Sequence, residues 1–181
     1  MIQIEESTNR IPLPDACIDH VHSSGVLHHV PDPLQVLREM RRLLRPGGTA
    51  RIMVYNYDSL WLHLYTAYLI QLVGERYPGL DIRTAFSKTT DGEDCPISRV
   101  YTPDEFLSLA REAGFAGTYT GGAVAVFEAS LLPQRFPAIM DRRLPAQHRD
   151  FLCELRLDAQ GLPLYRGQHA GVDGCYLLQV H

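Results

Sequence analysis

The feature that most narrows how this chain can fold is a strand, a capped helix and a second strand joined by tight turns between Ile18 and Tyr55. Ile18 to Ser24 is short, bounded by turn signals and followed by Gly25, the pattern of a strand that ends in a loop. Asp32 then opens a helix: its side chain caps the first turn, Pro33 suits the first helical position, and Gln35 stands where a capping-box partner belongs. Leu34, Leu37, Met40 and Leu44 form the apolar stripe, while Arg41, Arg42 and Arg45 complement the negative end of the helix dipole. Pro46-Gly47-Gly48 stops the helix in a tight turn, and a strand from Ala50 to Tyr55 follows. Strands alternating with helices across short turns specify an α/β sheet with helices on its faces.

Further along, Ser59 to Val73 has helical length, with Ser59, His63 and Thr66 on one face that is expected to line a cavity. Thr102-Pro103-Asp104-Glu105 forms a capping box, with Tyr101 and Phe106 placed as a hydrophobic staple, and Gly114 closes that helix. A short helix near Ala123 to Leu132, another around Gln147 to Leu155 and a closing strand from Cys175 to Val180 complete the reading. With 181 residues, 45% of them hydrophobic, one domain with a real core is expected, carrying helical insertions near 59–77 and 123–157.

Composition excludes several partners. A net charge of -4 leaves no surplus of Lys and Arg to neutralise a phosphate backbone, so no nucleic acid is expected. The most apolar stretch, Leu60 to Val73, falls short of the roughly 20 residues that cross a bilayer, so no membrane is expected either. Cys17, Cys95, Cys153 and Cys175 show no CxxC spacing, and the N-terminus carries no basic and apolar leader; a reducing cytoplasm is the expected location.

The run Ile18-Asp19-His20-Val21-His22-Ser23-Ser24-Gly25-Val26-Leu27-His28-His29-Val30, followed by Leu43-Leu44-Arg45-Pro46-Gly47-Gly48-Thr49, resembles class I S-adenosylmethionine-dependent methyltransferases of the small-molecule type. In that family an acidic residue opens the fourth strand, a Leu-His-His-Val turn follows it, and a helix ending in Pro-Gly-Gly precedes the fifth. The resemblance implies a Rossmann-like sheet, mostly parallel with an antiparallel C-terminal strand, and S-adenosylmethionine lying across the carboxyl ends of the strands. It places Ser24, Gly25 and Val26 by the methionine part. Ser7 and Thr8 stand where the family's adenine-contacting Asp is usual, so that carboxylate is missing.

The family's opening strand, GxGxG turn and second strand do not precede Ile2, and Gly121-Gly122 lacks the strand-turn-helix context of a nucleotide loop. About 60 residues or more of the family pattern are therefore expected to be absent, the sheet incomplete and cofactor affinity impaired. In the family's sheet the missing first strand lies beside the fourth, so its absence implies an open edge, and a homodimer or other self-association through it.

Methyl transfer needs an aligned acceptor and an excluded solvent, not a metal, and no metal is expected. Where the acceptor is a hydroxyl or an acidic carbon, a base helps, and His28 and His29 stand just past the strand's carboxyl end. His20 and His22 share a strand face, but with His28 and His29 they lack Cys, Asp or Glu at a recognised metal-ligand spacing. Asn56 and Asp58, at the end of the next strand, and His63 are the candidate substrate contacts, with Trp61, Tyr65 and Tyr68 in a lid over the acceptor. Asp19, at the strand's other end, is assigned capping or solvation. No Asn/Asp-Pro-Pro-Tyr follows the strand ending at Ser24, which resembles the family's fourth, and this favours a small-molecule acceptor. The alternative is a methyltransferase-like binding or structural subunit without catalysis; a nicotinamide-dependent dehydrogenase lacks the Tyr-x-x-x-Lys pair.

Overall fold

The structure is a computed structural model and describes residues 10–180. Its main sheet runs β1 (Ile18–Ser24), β2 (Leu44–Asn56), β8 (Asp173–Gln179), β4 (Ala116–Ala123), with the two-residue β3 (Val100–Tyr101) pairing the end of β2. β1 and β3 are parallel to β2, and β8 runs antiparallel to both β2 and β4. The mostly parallel α/β sheet with an antiparallel C-terminal strand is thus present. Ser7 and Thr8 lie outside the described residues.

Between β1 and β2 sits α1 (Pro33–Leu43), whose first turn is capped as its sequence requires, Asp32 accepting from the Gln35 N–H at 3.0 Å. The strand that follows starts earlier than the expected Ala50. Leu44 is already extended, and Pro46-Gly47-Gly48 lies inside β2. Register explains this: Ile18 pairs with Leu44 and His20 with Thr49, so two steps on β1 meet five on β2 and three residues bulge out. Gly47 takes φ +77°, and a Cβ on Gly48 would come within 2.9 Å of the Arg45 carbonyl and 3.2 Å of that of Asp19. Asp19 itself pairs with Arg45 at 2.6 Å across the bulge.

The principal core lies between this sheet and two helices, α1 and α4 (Pro103–Glu112). Leu37 from α1, Phe106 and Ala110 from α4, and Ala50, Ile52, Val54, Tyr176 and Leu178 from the sheet are all buried. The capping box of α4 is complete, with Glu105 N donating to Thr102 Oγ1 at 3.2 Å and Thr102 N to Glu105 Oε2 at 2.8 Å.

A second core gathers helices around α2 (Trp61–Val73), a wide helix of the π type packed against α6 (Arg135–Met140) and α7 (Ala146–Glu154). The expected cavity-lining face of α2 is instead engaged in packing. Ser59 accepts from Leu62 N, His63 Nδ1 lies 2.9 Å from His148 Nδ1, and Thr66 bonds Thr89 at 2.9 Å. Leu60, Leu64 and Ala67 bury the apolar side of α2 in the same core. The short helix expected near Ala123 to Leu132 is α5 (Val126–Ser130), and elements the sequence left undefined include α3 (Ile82–Thr90), capped by Asp81, and a small antiparallel sheet of β5 (Arg156–Leu157), β6 (Pro163–Tyr165) and β7 (Gln168–His169).

Candidate functional site

Along β2 the residues alternate: Ala50, Ile52 and Val54 turn into the core, and Thr49, Arg51, Met53 and Tyr55 turn to the opposite face. On that second face, at the carboxyl ends of β1 and β2, a crevice of about 530 Å³ is lined by His22, Ser24, Arg51, Met53, Asp173 and Cys175, among others. Asp173 also lines a smaller hollow of about 190 Å³ with Tyr55, Trp61, Thr90 and Val172. The two hollows therefore meet at one carboxylate, which burial pushes above its ordinary range. This is the end of an open parallel sheet at which ligands bind.

Ser24 is exposed at the rim, and Gly25 turns the chain there with φ +72°. A Cβ on Gly25 would meet only Met53 Cε at 3.8 Å, so its positive φ, not crowding, is what favours glycine. Gly25 N donates to the Met53 carbonyl at 3.3 Å, and Val26 is half exposed.

The two histidines of the following 3₁₀ turn have different surroundings. His28 is 1% exposed, stacked on Tyr55 at 3.9 Å, and its Nδ1 has no hydrogen-bond partner among the described residues. Burial, reinforced by the adjacent His29, lowers its pKa to about 4. His29 is half buried: Nδ1 lies 2.7 Å from the Ile97 carbonyl and Nε2 3.6 Å from Asp91 Oδ1. Asp91 accepts from Tyr55 Oη at 2.8 Å, Ser98 Oγ at 2.7 Å and Thr90 Oγ1 at 2.9 Å. Burial pushes its carboxyl up, but these hydroxyl donors outweigh that and hold it below the usual range.

The three expected substrate contacts do not converge. Asn56 is fully buried and clamps the chain, donating to the carbonyls of Asp58 at 2.8 Å and Gly171 at 3.0 Å and accepting from Asp58 N at 3.1 Å. Asp58 lines a separate cleft of about 450 Å³ with Tyr57, Tyr119, Tyr165, Arg166 and His169. Burial raises the Asp58 carboxyl, against the pull of Arg166. His63 is buried between His148 and Phe151, the latter stacked on it at 3.9 Å, and burial drives it well below its ordinary pKa. Of the expected lid residues, Trp61 lines the smaller hollow, whereas Tyr65 and Tyr68 line neither hollow.

Tyr55, Asp91 and Asp173 are the site residues the sequence reading missed. In the sequence Tyr55 reads only as a strand residue. The available signal for Asp173 was its place at the start of the last strand, beside the tip of β2, where Tyr55 pairs with Asp173.

Residues 2–52 match the model of a methyltransferase domain family. Among curated proteins, the chain is similar to an uncharacterized 37.1 kDa protein in transposon TN4556 of Streptomyces fradiae, 33% identical over 106 residues, covering 59% of this chain and 26% of that protein. It is also similar to demethylmenaquinone methyltransferase of Listeria welshimeri, 36% identical over 67 residues, 36% of this chain and 28% of that one. The chain thus spans about a quarter to a third of the length of the curated relatives it matches. Solved structures similar to it include a SAM-dependent methyltransferase, a possible histamine N-methyltransferase, from Thermotoga maritima, at 13% identity and TM-score 0.49 over 96% of this chain and 61% of that one. Another is Burkholderia thailandensis 1,6-didemethyltoxoflavin-N1-methyltransferase with bound 1,6-didemethyltoxoflavin and S-adenosylhomocysteine, at 16% identity and TM-score 0.40 over 92% and 45%. The family match extends through β1, α1 and into β2, and that part of the chain is similar to class I S-adenosylmethionine-dependent methyltransferases. S-adenosylmethionine is the cofactor of that class.

The residues at the crevice fit part of that cofactor. The Asp173 carboxylate suits its cationic methionine end, and the Ser24 hydroxyl and the open space beside Gly25 leave room at the strand tip. A glycine-rich strand-turn-helix is not found among the described residues. Among those residues, no helix is long and apolar enough to cross a membrane.

Proposed function

We propose that this chain forms the acceptor side and the methionine side of a methyl-transfer site for a small-molecule acceptor. What supports this reading is the pair of hollows at the carboxyl ends of the strands, one lined by Ser24 and Met53 and the other by Tyr55 and Trp61, which share Asp173. When bound, the cofactor supplies a methyl carbon activated by its sulfonium. The chain's own task is alignment: Ser24, Gly25 and Val26 border the methionine part, and the Tyr55 and Trp61 rings wall the acceptor. For a hydroxyl or acidic-carbon acceptor, His29 is the base, its Nδ1 held by the Ile97 carbonyl and the resulting imidazolium stabilised by Asp91. His28, enclosed and stacked on Tyr55, positions that ring. Asp58 and the cleft around it are a second place for acceptor contacts.

Cofactor affinity of these 181 residues alone is impaired in this reading, because the sequence holds no GxGxG turn to bring backbone close to the nucleotide. The second reading is a methyltransferase-like subunit that binds without catalysing. Calorimetric titration of S-adenosylhomocysteine into this chain and into a version extended upstream separates the two. Tight binding confined to the extended chain is expected. Micromolar binding by the present chain overturns the impairment, and no binding by either supports the non-catalytic subunit.

A further inference from the structure

We propose that His29, Asp91 and Cys95 form a site for a zinc-like divalent transition-metal ion. One ligand atom from each residue lies within 4.8 Å of the other two. Tetrahedral zinc with bonds of about 2.0 Å to N or O and 2.3 Å to a single S sets its ligand atoms about 3.3–3.5 Å apart, so side-chain movement of about an ångström closes the cluster on an ion. One edge is already near that spacing, His29 Nε2 to Asp91 Oδ1 at 3.6 Å, and Cys95 Sγ lies beside the same ring, 3.8 Å from its Nδ1.

The surroundings are those of a ligand set held in place. Nδ1–H of His29 donates to the Ile97 carbonyl at 2.7 Å, which leaves the Nε2 lone pair directed toward Asp91. Three hydroxyls, from Tyr55, Ser98 and Thr90, fix the Asp91 carboxylate. Cys95 is a free, half-buried thiol whose Sγ–H points to the same Ile97 carbonyl at 3.3 Å. A thiolate, an imidazole and one carboxylate favour zinc or cobalt over magnesium or calcium, which want oxygen alone. Three protein ligands leave a fourth position for water or another small ligand. On binding, the Cys95 S–H bond breaks, a sulfur–metal bond forms, and the proton passes to buffer.

This site does not depend on methyl transfer. It does bear on it, because a metal on Nε2 occupies the lone pair with which His29 would take a proton. The two roles exclude one another, and metal is therefore inhibitory wherever His29 serves as base.

Titrating Co²⁺ into the metal-free chain tests the site by its absorption spectrum. One equivalent per chain should bring up a thiolate-to-cobalt charge-transfer band and a tetrahedral d–d band. Both should vanish in Cys95→Ser and persist in Cys153→Ser, with circular dichroism confirming that each variant is folded. Tyr55→Phe, which removes one hydroxyl from Asp91, should weaken binding about tenfold. A wild-type chain without the thiolate band, or a band that survives Cys95→Ser, overturns the proposal.

Discussion

The two faces of β2 differ in nearly every respect. Toward α1 and α4 the sheet presents Ala50, Ile52 and Val54, none more than 2% exposed, against Leu37 and Phe106. Toward the other side it presents exposed Arg51 and half-exposed Met53, next to His22 and Ser24 of β1. Parallel sheets are ordinarily covered on both faces and read as continuous apolar runs. Here the apolar run is broken at alternate positions. The covered face therefore carries the fold, and the polar face carries the crevice.

The largest effect separating the faces should come from the core. Phe106→Ala removes a fully buried ring between Tyr101 and Tyr176, whose centroids lie 5.6 Å and 4.4 Å away, and should cost about 3–5 kcal/mol in denaturant unfolding. An equal loss in Arg51→Ala would erase the contrast, since an exposed position should stay within about 0.5 kcal/mol.

Acid should act next most strongly, and away from the crevice. His148 is buried against His63, and burial lowers its pKa to about 4 from the ordinary 6.5. Its folded pKa is depressed, so folding favours the neutral ring. That stability is fully present above pH 6.5 and is lost as pH falls toward 4. The wild type should thus lose up to about 3 kcal/mol across that window relative to His148→Asn, which keeps a polar partner for His63 but does not titrate there. Parallel stability curves for the two proteins between pH 4 and 6.5 would contradict this.

Asn56 sharpens the comparison from the seam between the faces. It was expected at the substrate, but its side chain makes three hydrogen bonds within the chain. Asn56→Ala should cost about 2 kcal/mol of stability by leaving buried groups at Asp58 and Gly171 unpaired. A smaller change follows at the start of α4: Thr102→Ala breaks the capping box and should cost about 1 kcal/mol.

What the sequence disclosed follows the range over which each interaction acts. Asp32 and Thr102 are legible because a cap needs partners within three residues. Pro46-Gly47-Gly48 reads locally as a turn that ends a helix; that it lies within β2 depends on its register with β1, 26 residues away at Ile18 and Leu44. The same holds for α2. Its polar positions Ser59, His63 and Thr66 mimic a cavity-lining stripe, and only the arrival of His148 and Thr89 shows that they are packing partners. At the crevice, Ser24 and Gly25 were accessible through a contiguous motif. Asp91 and Cys95 were not, because they reach His29 across more than sixty residues, through a segment between α3 and β3 with no spacing signature.

The smallest stability effect is expected where the functional effect should be clearest. Ser24 is exposed at the rim of the crevice, so Ser24→Val removes a hydroxyl that supports no core contact and should change stability by less than about 0.5 kcal/mol. Valine suits an extended strand, and its added methyl projects into the space beside Gly25 where the methionine part is proposed to lie. In the upstream-extended chain, affinity for S-adenosylhomocysteine should therefore fall severalfold while the unfolding midpoint stays put. Unchanged affinity with unchanged stability would remove Ser24 from the cofactor's contacts. A large loss of stability would mean that the exposed face of β1 supports the fold after all, and the division of labour between the two faces would fail with it.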